Sequence, residues 1–542
     1  MTVQEKIGQG KTFLGIELGS TRIKACLIDD TFSPIAGGSH SWENRLENGY
    51  WTYSLEDIHS GVQSCYADLK RDVREKYGVV LETVGAMGIS AMMHGYMAFD
   101  KDGSLLVPFR TWRNTTTEKA AAELTKLFGF NIPQRWSIAH LYQAALNKEE
   151  HVPEIAHITT LAGYIHFLLT GKRAVGIGEA SGMFPISGNN YDKNMLDKFG
   201  KLVPDINISE ILPEVLSAGE NAGILTEAGA KFLDPEGDLK AGVPMCPPEG
   251  DAGTGMVATN AVLPKTGNIS AGTSVFSMLV LEKPMKGVYP EIDVVTTPVG
   301  APVAMVHCNN CCAELDAWVN IFEEFSALSG KPVDKSDLYE MLYKNALKGD
   351  TDCGGIAAYN FLSGEPVAGV ESGRPMYFRA PESKMNLANF FRGELYSAFA
   401  ALKMGMDILF EKENVSAEQF TGHGGIFKVQ GVAQQFLADG LNTPVSVMKT
   451  AGEGGAWGMA LLAAYMVCGK GKILAEFLEK EVFANMEKST AVPDEKGVKG
   501  FETYMERYKS GLDFYKNNET TVGRGRDNSD CSRFRKIWSD IL

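Results

Sequence analysis

The chain has 542 residues and a formal net charge of −15, from 52 Lys and Arg against 67 Asp and Glu. This excludes the basic field of a nucleic-acid binder and makes an anionic membrane surface a poor partner. Nine cysteines, an odd count without regular spacing, exclude a disulfide scaffold and point to a reducing compartment.

In chain order, residues 1–15 hold no apolar signal core. The longest uncharged apolar stretch, residues 456–469, is shorter than the ~20 residues of a membrane span, so a cytoplasmic protein is expected. Phe13–Leu18 reads as a strand, the Gly19-Ser20-Thr21 turn as a hairpin bend, and residues 23–28 as the returning strand. A helix is expected over 58–77, a buried strand over 84–90, and helices over Glu118–Phe128 and 140–148. Residues 155–169 read as one apolar helix stopped by Thr170-Gly171. The second half opens like the first: a strand from Gly267, the turn Gly272-Thr273-Ser274, then a strand over 275–281. That echo suggests two related domains. Leu395, Phe399, Leu402, Met406 and Leu409 share one helix face within 391–410. A strand over 420–426, a helix over 429–439, Val445–Met448 as a strand and Gly454–Cys468 as a helix complete an α/β alternation. Domains are expected over 1–260 and 261–490, with 491–542 a helical extension and tail of no assigned role.

Five segments carry candidate chemistry. Glu17 ends a strand before Gly19-Ser20-Thr21 and Lys24. Small turn residues let backbone amides approach a phosphate, and a carboxylate suits Mg²⁺ directly or through water. Asp251, in Gly250-Asp251-Ala252-Gly253, reads as a general base facing a cleft or, more plainly, as a helix N-cap. Gly272-Thr273-Ser274 is a second phosphate turn. Gly424-Gly425 before Lys428 leaves bare backbone for a base or ribose. Met93-His94-Gly95, with Trp112 and Arg113, suits polyol hydroxyls. Cys308, Cys311 and Cys312 beside His307 imitate half a zinc site but lack a second pair.

Together these segments resemble the FGGY carbohydrate kinases of the sugar kinase/Hsp70/actin superfamily, from about residue 12 to 470. The resemblance adds Leu362-Ser363-Gly364-Glu365-Pro366 with Arg374, and an adenosine region at Gly424-Gly425, Gln434, Gln435, Asp439 and 453–460. It implies two RNase H-like (actin-like ATPase) domains with a catalytic cleft between them. ATP with Mg²⁺ and a sugar are the implied partners; a homodimer stays open. Asp251 would be the base. Gly19, Ser20, Thr21, Lys24, Gly272, Thr273, Ser274, Gly424, Gly425 and Lys428 would hold the nucleotide, and Glu17 the metal. Met93, His94, Trp112, Arg113 and Asn310 would meet the sugar. Three positions depart from the family pattern: Glu17 replaces its usual Asp, Arg113-Asn114 its commoner x-Asp, and Trp457 a small residue beside the nucleotide. The segment 112–116 is similar to ribulokinases and Met93-His94-Gly95 to xylulokinases. The reading takes phosphorylation of L-ribulose to its 5-phosphate first, with xylulose or another polyol as the alternative. A silent sugar or nucleotide sensor and an actin/Hsp70-like ATPase are the readings of another class.

Overall fold

Strand β1 (Phe13–Leu18) is buried along its length except at Glu17, as a strand covered on both faces must be. The turn at 19–21 returns the chain into β2 (Arg22–Ile28), antiparallel, with Glu17 opposite Lys24. Strand β3 (Pro34–Ser41) extends this meander. Helix α1 (Leu55–Tyr77) starts on the Ser54 side chain and stops at Gly78, whose φ of 69° suits glycine. It carries the chain back to β4 (Ala86–Ala91), parallel to β1. The short helix α2 (Ile177–Ser181) precedes β5 (Glu249–Gly250), parallel to β4, which runs directly into helix α3 (Asp251–Ala258). The first sheet therefore has the order β5-β4-β1-β2-β3. The structure, a computed structural model, describes residues 1–448 and 454–522, apart from the side chains of 514 and 517–522. Glu453 and the charged tail from 523 lie outside the described residues.

The second sheet repeats the first. Strands β6 (Thr266–Ala271), β7 (Val275–Val280), β8 (Ile292–Thr296), β9 (Pro302–Cys308), β10 (Gln419–His423), β11 (Val445–Met448) and β12 (Lys488–Ala491) lie in the order β8-β9-β7-β6-β10-β11-β12. Within it, β9-β7-β6-β10-β11 has the order and strand directions of β3-β2-β1-β4-β5. Helices α4 (Ala313–Leu328), α5 (Leu387–Asp407) and α6 (Val432–Leu441) belong to this lobe, and the periodic face of α5 lies in its core.

Helix α7 (Gly454–Cys468) departs from the expected division. It packs on β1, β4 and α3 of the first lobe, and the first core continues through Phe477 and Val482. Glycines make the contact possible. A Cβ on Gly15 would sit 2.1 Å from the Ala456 carbonyl oxygen, and one on Gly458 2.0 Å from that of Thr254. Trp457 points away from the cleft. Its indole N–H donates to the Phe32 carbonyl at 3.0 Å and its ring meets Phe483 edge-on, so it does not stand beside a nucleotide. Helix α8 (Glu495–Val522) buries Phe501, Tyr504, Tyr508 and Tyr515 in the second core, so the C-terminal extension to 522 is integral to that lobe.

Other expectations shift locally. Residues 155–169 are a strand (His157–Thr159) and a helix (Leu161–Thr170) separated by Thr160, whose hydroxyl caps the helix at Gly163. A continuous apolar run conceals such a break. The strand expected over 420–426 ends at His423, and Gly425–Lys428 forms a 3₁₀ turn. No helix among the described residues is long and apolar enough to cross a membrane.

Candidate active site

The two hairpins face each other across a cavity of about 250 Å³, lined by Glu17, Lys24 and Asp251 from the first lobe and by Asn268, Ser270, Phe276 and His423 from the second. Glu17 occupies the end of β1, where its carboxylate accepts the backbone N–H groups of Gly455 and Ala456 at the start of α7. A helix N-terminus favours such a negative group. Burial, and then the charge of Asp251, push its pKa up to about 7, while Lys24 opposes the shift. Only glycine fits at 455: a Cβ there would lie 2.4 Å from a Glu17 oxygen.

Asp251 is the first residue of α3. Gly250, not Asp251, holds the N-cap position, so the N-cap reading fails. Its Oδ1 accepts the Met93 N–H at 3.1 Å. Burial raises its pKa, against the Met93 and Ala252 amides. Met93 thus meets Asp251 directly. His94 follows with φ 73°, a conformation only the surrounding structure can impose on a non-glycine residue. Its Nδ1 lies 3.2 Å from the Gly182 carbonyl oxygen. A carbonyl only accepts, so Nδ1 carries the hydrogen. Burial holds the ring's pKa well below its usual value; the neutral ring therefore leaves Nε2 as an acceptor.

The turn residues 19–21 and 272–274, with Gly424, Gly425 and Lys428, are not among the residues that line the cavity. Gly19 and Ser20 give their carbonyls to Trp42 Nε1 and the Tyr53 hydroxyl, which fixes the bend. Gly272 accepts the Cys312 N–H, and its own amide reaches Ser274. A Cβ on Gly272 or Gly425 would meet nothing within 4 Å, whereas one on Gly424 (φ 109°) would strike the Ala271 carbonyl at 2.2 Å. Gly424 therefore seats its loop against Ala271 at the end of β6. Lys428 is exposed beyond it.

Several expected contacts lie elsewhere. Arg113 stacks over Trp51 at 4.0 Å and Trp112 packs on the first lobe's core; neither lines the cavity. Asn310 is 5% exposed and wholly engaged: its amide donates to Glu365 and Ser363, and its carbonyl accepts the N–H groups of Leu362 and Ser363. Its role in this structure is to fix the 362–365 loop. Gln434, Gln435 and Asp439 tie down 489–494 instead of facing a nucleotide. Among the described residues no His, Cys, Asp or Glu cluster forms a metal site, and Cys308 and Cys311 are buried thiols.

Two groups escaped sequence reasoning. Asn268 is 1% exposed on β6, lines the cavity, and both polar atoms of its amide lack a partner; an orphaned amide there calls for a ligand. A polar residue inside an otherwise buried strand was its only signal. Glu249, immediately before Gly250-Asp251, accepts the N–H groups of Gly178 and Glu179 at 3.1 and 2.9 Å, and burial takes its pKa to about 8.

A duplicated sheet whose two hairpins enclose a carboxylate-lined cavity defines a two-lobed protein of the actin-like ATPase fold. The solved xylulose kinases of Lactobacillus acidophilus and Rhodospirillum rubrum share that fold. Each has a TM-score of 0.75 at 16% identity, covering 93% and 95% of this chain and 98% and 100% of theirs. The chain belongs to the FGGY family of carbohydrate kinases: the family's N-terminal domain matches residues 12–257 and its C-terminal domain residues 267–467. It is thus an ATP-dependent sugar kinase. It is 23% identical over 525 residues to the xylulose kinase of Haemophilus influenzae, covering 92% of this chain and 99% of that protein.

Proposed function

We propose that this cytoplasmic kinase transfers the γ-phosphoryl group of ATP to a hydroxyl of a ketopentose, with Asp251 as general base. The observation that carries this is the Asp251 carboxylate itself. It reaches the cavity between the lobes, is oriented by the Met93 amide, and has a basicity raised by burial. A stronger base takes a proton from a hydroxyl more readily as that hydroxyl attacks. The His94 Nε2 acceptor beside Met93 suits a second sugar hydroxyl. The turns Gly19–Thr21 and Gly272–Ser274 would hold the phosphates, and Gly424, Gly425 and Lys428 the nucleoside side. Asn268 would give its free amide to a ligand oxygen.

The residues present fit Mg²⁺. Glu17 and Asp251 face one cavity and the charge of Asp251 opposes the ionisation of Glu17, a repulsion a divalent cation relieves. Mg²⁺ characteristically takes one or two carboxylates together with phosphate oxygens, and Glu17 would be its carboxylate here. When bound, the ion neutralises charge on the transferring phosphoryl group.

D-xylulose is the preferred sugar, on the full-length similarity to a xylulose kinase. L-ribulose rests on 112–116, whose Arg113 is engaged by Trp51. The test is ADP release with D-xylulose, L-ribulose, D-ribulose, glycerol and gluconate, each with ATP and Mg²⁺. D-xylulose should give the highest kcat/KM. Higher kcat/KM with L-ribulose would restore the ribulokinase reading, and ATP turnover indifferent to every sugar would overturn the assignment.

A further inference from the structure

Strand β8 is the edge of the second sheet, yet both its ends are fastened to the first lobe. At one end the Asn131 side-chain amide donates to the Ile292 carbonyl at 2.9 Å, and the Arg135 guanidinium pairs with the Asp293 carboxylate. At the other end the Thr296 N–H donates to the Ser181 hydroxyl at 2.9 Å, and the Thr296 hydroxyl to the Ile177 carbonyl at 3.1 Å.

Both fastenings lead to His94. The Arg135 carbonyl accepts the Gly95 N–H at 3.2 Å, Trp136 stacks on the His94 ring, and the Ser137 hydroxyl donates to the Gly95 carbonyl at 2.6 Å. From the other end, Gly182, next to α2, accepts the His94 Nδ1 hydrogen. A Cβ on Gly182 would lie 2.6 Å from that ring. The second lobe also brings His307 of β9 near His94, whose ring feels the charge of Arg135. Asp293 is only 9% exposed at its side chain. Removing one partner of such a pair strands a charge rather than merely losing a contact, so the pair can hold a geometry that a surface pair could not.

We propose that Arg135 is a positioning residue for the sugar: joined to Asp293 across the cleft, it holds the His94–Gly95 turn in its strained, sugar-accepting conformation. The sugar site is thereby complete only when the lobes are joined. The sugar part of this proposal rests on the functional reading above; the coupling of the two lobes through Arg135 does not.

The full chain carries the test, as Arg135→Met, Arg135→Lys, Arg135→Asp, Asp293→Asn, and the exchanged pair Arg135→Asp with Asp293→Arg, each checked by thermal melting. Hydrogen exchange reads the coupling without sugar. Asp293→Asn, a change in the second lobe, should speed exchange at the amides of 94–96 in the first. Kinetics read the consequence. Arg135→Met and Asp293→Asn should each raise the sugar KM by about 10- to 100-fold, the scale of a misplaced substrate-positioning group. The KM for ATP should stay within about twofold, and the exchanged pair should recover most of the loss seen with Arg135→Asp alone. Arg135→Lys keeps the charge but not the planar fork and should fall between. Unchanged exchange at 94–96 in folded Asp293→Asn, or no recovery in a folded exchanged pair, overturns the proposal. A wild-type enzyme that phosphorylates no ketose overturns the functional reading instead, and the exchange measurement still decides the coupling.

Discussion

The two walls of the cleft are the same piece of backbone with different chemistry. Glu17 stands two residues before its turn glycine and faces Lys24 across β1–β2; Ser270 stands two before its own and faces Phe276 across β6–β7. All four line the cavity. On the neighbouring parallel strands Ser90 pairs with Glu17, and His423 with Ser270. Burial takes His423 down to about 4, so it is neutral near pH 7. Among the described residues the first wall carries every charged group of the cavity lining; the second offers a hydroxyl, an amide and two rings. Duplication fixed the positions, and the side chains alone divided the labour.

Asp251→Asn attacks the charged wall directly. The rate should fall by about 10²–10⁴ at unchanged folding, the range for losing a general base; a variant at full rate would remove Asp251 from the chemistry. The acid limb of the wild-type rate profile should lie above the usual carboxylate range. The base must be ionised to act, and burial raises its pKa, so the rate rises with pH.

The equivalent pair comes next. Glu17→Gln should weaken Mg²⁺ dependence by about 10–100-fold, the scale on which perturbing a metal ligand's environment acts. Ser270→Ala should cost no more than one neutral hydrogen bond, about 0.5–1.5 kcal/mol. Equal effects in titrations of Mg²⁺ would erase the division between the walls.

Glycines give a subtler contrast. Gly455→Ala should destabilise by about 1–3 kcal/mol through overpacking against Glu17, while Gly272→Ala, in the opposite wall with open space around it, should melt within a degree or two of wild type.

The last effect is on the pH dependence of stability. Glu249 holds its proton to about pH 8 when folded but loses it in the usual carboxylate range when unfolded. The stabilisation from the protonated form is therefore complete at low pH and is lost as pH rises toward about 8. Glu249→Gln should flatten that fall by up to about 1.4 kcal/mol per pH unit, measured by melting between pH 5 and 9.

What was legible in the sequence follows this division. The hairpins at 19–21 and 272–274 were readable because turn chemistry is local; Asp251 left two readings open, and its place in the cavity lining came from the structure. Trp457 was misplaced because α7 is apolar all round, so its pattern names no inward face. The same uniformity hid which sheet it covers. Asn310, Gln434 and Asp439 looked available only because their partners, at 362–365 and 489–494, are far away in sequence. The Arg135–Asp293 pair spans 158 residues, and no periodicity announces it.

Helix α7 also sets a schedule for biosynthesis. A nascent chain emerges N-terminus first, and residues 13–258 supply the first sheet with α3. The face of β1 and β4 that receives α7 stays bare until residues 454–468 have left the ribosome, after nearly all of the second lobe. The first half is not a self-sufficient folding unit: a chain interrupted at 260 would present that apolar face to the cell's chaperones, not a finished domain.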